Sequence, residues 1–182
     1  MLDRQPVLED EHVRLRPLRA ADWEALFAVA SDPLVWEQHP AHDRWKEEVF
    51  RPFFADALAN RGALIASDAK TGAVIGSSRF QGLEEADGGS VEIGWTFLAR
   101  SHWGGTYNYA MKRLMLAHAL ASVAEVRFLV GATNTRSRRA LEKIGAVLTQ
   151  RREDRVMADG AVIEHLTYAI TRESFASGPL AG

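Results

Sequence analysis

The sequence predicts one α+β (mixed α/β) domain, and three observations carry that reading. Apolar residues recur at helical spacing in some segments and alternate with period two in others, so helices and strands are interleaved along the chain. A glycine turn, Trp103-Gly104-Gly105-Thr106, joins a strand pattern to a long apolar helical one. The 182 residues are 47% hydrophobic and 9% aromatic, enough to bury a single core of ordinary size.

The elements follow in order. His12 to Leu18 alternates polar and apolar as a strand does. Asp22 caps a helix on which Trp23, Leu26, Phe27 and Ala30 share a face, and Pro33 interrupts it. A second helix from about Asp43 to Asn60 carries Trp45, Val49, Phe53 (or Phe54) and Leu58 in one stripe. Ala63–Ser67 and Ala73–Phe80 read as strands joined by the turn Lys70-Thr71-Gly72. Ser90–Phe97 is a third strand of this group, with Val91, Ile93, Trp95 and Phe97 expected on one face and Glu92, Gly94 and Thr96 on the other. Gly105 to Ala121 is a helix apolar around most of its circumference. Val126–Gly131 is a buried strand, and Ser137–Ile144 a short helix closed by Gly145. A closing hairpin near Ala146–Arg151 and Val162–Thr171 turns at Ala158-Asp159-Gly160. The domain is expected to span 1–175, with 176–182 a flexible tail.

Composition narrows the function. A net charge of −2 lacks the clustered positive surface that phosphate-backbone binding needs, so nucleic acid is not expected as a partner. There are no cysteines, hence no disulfides or thiolate chemistry, and the six histidines have no metal-ligand spacing. No apolar run is long enough for a membrane span or a secretory leader. A cytoplasmic protein with no membrane partner and no metal is the expectation.

The glycine turn is the strongest chemical feature. The first turn of a helix offers unpaired N–H groups and the positive end of the macrodipole, and glycines let an anion reach them. Gly-Gly after a strand also serves as an ordinary tight turn, and both readings stand at this level. The spacing is not that of a dinucleotide fingerprint or of a Gly-Lys-Ser/Thr phosphate loop.

Three pieces together resemble the GNAT superfamily of N-acetyltransferases, in its ribosomal-protein-alanine acetyltransferase branch. They are Glu92-Ile93-Gly94-Trp95 leading to Trp103-Gly104-Gly105; Asn134-Thr135-Arg136-Ser137 running through Glu142-Lys143-Ile144-Gly145; and the hairpin with its Asp159-Gly160 turn. The likeness runs from about Val13 to Phe175. Ser101 and Thr106 depart from the family's usual loop residues, and Leu141 stands where many members place a tyrosine that protonates the departing thiolate.

The resemblance implies a twisted mixed sheet of about seven strands flanked by about four helices. It implies an enzyme that carries acetyl from acetyl-CoA to a primary amine, a protein N-terminus or a small molecule, in a ternary complex. The cofactor would lie against Thr96, Phe97, Leu98, Trp103, Gly104, Gly105, Thr106, Tyr107, Asn134, Ser137 and Arg138. Glu92 is the candidate base acting through water, its alternative being an ordinary solvated strand carboxylate or one tied to an arginine such as Arg79. Ser137 is the candidate proton donor to the thiolate, or else bonds its own backbone. Asn134 would bond the pantetheine, cap its helix, or both. Trp36, His39, Arg79 and Trp95 are the candidate acceptor site, although core packing explains the tryptophans equally well. Dimers are common in the family, which leaves a homodimer open. A rival reading of the same fold is an acyl-CoA-binding sensor or scaffold with impaired catalysis.

Overall fold

The computed structural model describes residues 1–157 and 159–181. Ala158 of the expected hairpin turn and Gly182 of the expected tail lie outside the described residues. The strands are β1 Leu8–Glu9, β2 Val13–Pro17, β3 Ala63–Asp68, β4 Val74–Glu84, β5 Ser90–Leu98, β6 Glu125–Gly131, β7 Val147–Val156 and β8 Val162–Thr171. The helices are α1 Trp23–Ala30, α2 Glu47–Ala59, α3 Thr106–Leu120, α4 Thr135–Lys143 and α5 Arg172–Ala176. They form one eight-stranded sheet in the order β1-β2-β3-β4-β5-β6-β8-β7. Every pairing is antiparallel except β5 with β6, which α3 connects.

The expected mixed α+β sheet is therefore present, with one strand and one helix more than foreseen. The extra strand is the two-residue β1, too short to show a period. The extra helix, α5, is capped by Thr171 and Ser174, each bonding the other's backbone N–H. Beyond it most of the segment expected as a tail is exposed, with one anchor. Leu180 is buried in the main core, and Pro179 lies over Gly145, whose φ of +87° closes α4.

Two apolar layers sandwich the sheet. On one face α3 buries Met111, Met115, Leu116 and Ala119 against Val91, Ile93, Val126 and Phe128. Each of the larger of these side chains contributes roughly 1.5–3 kcal/mol by burial. On the other face α1 and α2 pack Leu26, Phe50 and Phe54 with Trp36, Ile65 and Phe97.

The predicted face of β5 is broken in the middle. Arg79 pairs with Gly94 and Ser77 with Phe97, so Trp95 and Thr96 together oppose Ser78. Trp95 takes φ +51°, a conformation no alternating pattern anticipates. This bulge changes the parity of the strand. Val91 and Ile93 therefore face α3, whereas Phe97 joins the α1–α2 layer, and Thr96 turns towards α3, away from the face of Glu92. Pairing with β6 ends at Glu92 opposite Arg127, although β6 stays paired with β8 as far as Gly131.

A candidate active site where β5 and β6 part

A cavity of about 890 Å³ opens where the two parallel strands diverge. Its walls are the facing edges of β5 from Ile93 to Leu98 and of β6 from Phe128 to Gly131. Beyond Glu92 the inner edge of β5 has no strand partner, so an extended ligand with amide groups can add to it as a strand would.

One end of the cavity meets the glycine turn. Gly104 and Gly105 adopt φ +105° and +113°, which only glycine takes without strain. Gly105 is the N-cap of α3, and no side chain caps the first-turn N–H groups. An anion at this point therefore finds free donors and the helix dipole. Trp103 is anchored by its indole N–H donating to Leu98 O at 2.9 Å, and the Arg136 guanidinium stacks 4.3 Å from its ring centre. This contact joins the turn to α4.

Tyr107 and Thr106 do not line the cavity. Tyr107 turns inward and donates to Asp68 Oδ2 at 2.7 Å, while Asp68 Oδ1 accepts from the backbone N–H groups of Lys70 and Thr71. The Tyr107 hydroxyl is the first of the donors that hold the Asp68 carboxyl far below the usual range. His102 Nε2 approaches the same oxygen at 3.4 Å. The loop and first turn of α3 are thus pinned to the end of β3.

On the opposite wall, Asn134 is buried and caps α4, its Oδ1 accepting from Ser137 N–H at 3.2 Å. It also lines the cavity, as does Ser137, whose hydroxyl has no protein partner among the described residues. Arg138 does not line it. Its guanidinium turns to Ala132 O and the Tyr168 hydroxyl, while Arg136 and Arg139 take the cavity side. Leu141 lines the wall, and Tyr109 of α3 comes beside it, donating its hydroxyl to Lys143 O at 2.7 Å.

Glu92, Trp95, Trp36 and His39 also line the cavity, with the Trp36 and His39 rings edge to face at 5.6 Å. Burial raises the Glu92 carboxyl above its ordinary value, opposed by the charges of Arg155 and Arg79. Gly94 makes room for it: a β-carbon there would stand 3.1 Å from Glu92 Oε1. Burial and the nearby Arg44, His165 and Arg136 push His39 down to about 3, so it is neutral near pH 7. Its Nδ1 accepts from Ala41 N–H at 2.9 Å, which leaves Nε2 as the protonated nitrogen. Arg79 stands behind this wall. It is 2% exposed, donates to Asp56 Oδ2 at 2.6 Å and stacks against Trp95 at 5.1 Å, so it supports Trp95 and does not reach the cavity.

Sequence reasoning passed over Lys112, Arg44 and Arg155. Lys112 is buried in the middle of α3, where apolar periodicity hid it, and burial pushes it down to about 7. A charged residue inside an otherwise apolar helical stripe was the available signal. Arg44 enters the cavity from the segment before α2 and Arg155 from β7 of the closing hairpin, and neither carries a local pattern that marks it.

The family model described as "Acetyltransferase (GNAT) domain" matches residues 12–147. A candidate acetyltransferase from T. thermophilus superimposes with TM-score 0.77 at 29% identity, over 97% of this chain and 94% of that one. Mycobacterium smegmatis RimJ, solved with CoA-disulfide, gives TM-score 0.73 at 21% identity, over 96% of this chain and 90% of that one. Spermidine N-acetyltransferase from Vibrio cholerae, solved with CoA and spermine, gives 0.67 at 12%, over 91% and 99%. No curated protein matches the sequence. Among the described residues no helix is long and apolar enough to cross a membrane.

Proposed function

The chain belongs to the GNAT acetyltransferase family, and on that premise we propose that it moves the acetyl group of acetyl-CoA to a primary amine by direct attack in a ternary complex. The acceptor is a protein N-terminus or a small-molecule amine. The observation that carries this reading is the divergence of β5 and β6 at Glu92, which joins the glycine turn, a bare strand edge and a carboxylate in one cavity.

The residues present suit acetyl-CoA. The first turn of α3 would hold the pyrophosphate, and the edges of Thr96, Phe97 and Leu98 with Asn134 would hold the pantetheine amides. When bound, it supplies a thioester carbon open to attack by a neutral amine. Glu92 takes the proton from the acceptor ammonium, directly or through one water, and its raised affinity for protons suits that role. The Ser137 hydroxyl, free of protein partners, supplies a proton on the opposite wall. His39 donates from Nε2 and does not act as a base.

Two measurements test the proposal. Acetyl-CoA at a hundred times its Kd should stabilise the fold by about 2.7 kcal/mol through linkage, seen as a rise in Tm. Free-thiol release in the presence of amines should then report turnover. A Tm rise without thiol release from any amine would favour the sensor reading, and no Tm rise would count against both.

A further inference from the structure

We propose that the acceptor is a small amine that also carries a carboxylate, an amino acid in kind, and that Arg44 is the residue that selects it. This rests on the acetyltransferase reading above. Arg44 precedes α2 and lines the cavity on the side of Trp36 and His39. Its guanidinium lies 4.5 Å from the Phe53 ring centre and 5.6 Å from that of Trp36, an arrangement that holds the plane still and leaves its N–H edge free.

No carboxylate or carbonyl receives that edge among the described residues. Arg79 and Arg155, its neighbours around the acceptor end, are each paired, with Asp56 and Glu153. Asp43, next in sequence, acts on Arg44 only at a distance. Among the described residues the single fully buried side-chain nitrogen or oxygen without a partner is Arg79 Nε, so the unpaired Arg44 nitrogens are not sealed off, and Arg44 lines the cavity. Burial and Arg79 push Arg44 down to about 10, which still leaves it charged near neutrality. A half-buried cation without a counter-ion is costly, and an incoming carboxylate relieves the cost with bidentate geometry.

The charge balance points the same way. Among the described residues Glu92 is the one carboxylate in the cavity wall, Arg155 lies close enough to act on it, Arg44 lines the same cavity, and His39 is neutral. A polyamine finds one favourable charge, Glu92, and one uncompensated unfavourable charge, Arg44, since Arg155 is paired with Glu153. An amine with a carboxylate finds Glu92 for its ammonium and Arg44 for its anion. The cofactor's phosphates have their own donors at Gly104-Gly105, with Arg136 and Arg139 on α4.

The test is calorimetric binding of matched pairs to the CoA-loaded protein: each amino acid of a side-chain panel against its carboxamide, with spermidine as the cationic control. The expected result is at least about tenfold tighter binding of the carboxylate member for the preferred side chain. Arg44→Gln should abolish that preference and Arg44→Lys should keep part of it, both with an unchanged Tm rise on CoA. Equal binding of the pair, tighter binding of spermidine, no binding by any member, or a preference that survives Arg44→Gln would each overturn the proposal. Thiol release is scored separately. A preference without turnover would sink the transferase reading and leave Arg44's selectivity standing.

Discussion

Lys112 Nζ donates to Thr96 Oγ1 at 2.7 Å, and the Thr96 hydroxyl lies 2.8 Å from Ser78 Oγ. A buried lysine in the middle of α3 is thereby tied to the bulge that follows the point where β5 and β6 part. Its ring neighbour is Phe128, 5.4 Å away on β6, so Lys112 sits beneath the point of divergence.

Lys112→Met should stabilise the protein in a pH-dependent way. The folded pKa is about 7 against an ordinary 10.5, so between those values the unfolded chain binds more protons and stability rises with pH. Below pH 7 the wild type bears the full cost of burying the charge; above 10.5 it bears none. The gain should be on the order of 2 kcal/mol at pH 6 and disappear near pH 10, less than the full shift because the Thr96 bond is lost. Denaturant midpoints of both proteins at the two pH values decide it, and an equal gain at both would refute the assignment.

Glu92→Gln should remove the acid limb of the rate profile. A base with a raised pKa works above that value, so wild-type kcat/KM should fall as pH drops through it. The variant should be slower by roughly a hundredfold and flat over that limb. Unchanged rates from pH 6 to 9 would exclude Glu92 as the base.

Ser137→Ala and Tyr109→Phe divide the proton-donor role. Ser137 has a free hydroxyl on the cavity wall, whereas Tyr109 already donates to Lys143 O. The serine variant should lower kcat by about tenfold or more with KM for acetyl-CoA kept, and the phenylalanine variant should cost little kcat. The reverse ranking would transfer the role to Tyr109.

Asp68→Asn should weaken acetyl-CoA binding without touching it. The carboxylate holds Tyr107, His102 and the turn after β3, and so fixes the glycine turn and first turn of α3. Expected is a several-fold rise in Kd by calorimetry, with kcat at saturation nearly kept, because the anion donors lose their preorganisation. A Kd equal to wild type would show that the loop holds its shape unaided.

Residue types and their periods were enough to place nearly every strand and helix, because apolar spacing along a few turns or pleats is a local property. They also placed the glycine turn before α3, the Asn134 cap and the Gly145 terminator, since each is a requirement of nearby backbone. The tertiary structure decided what lies across from what. The bulge at Trp95 carries no local mark, since the residue fits the alternation, and it is pairing with β4 that forces two residues opposite Ser78. That bulge sent Thr96 to Lys112 and Phe97 to the α2 layer. Pairing with β6 had already ended at Glu92, before the bulge. Arg44, Lys112 and Arg155 come from three separated segments, so only packing could gather them in one cavity. The same packing set Arg79 behind Trp95 and turned Tyr107 to Asp68, because each found a nearby buried partner of matching polarity.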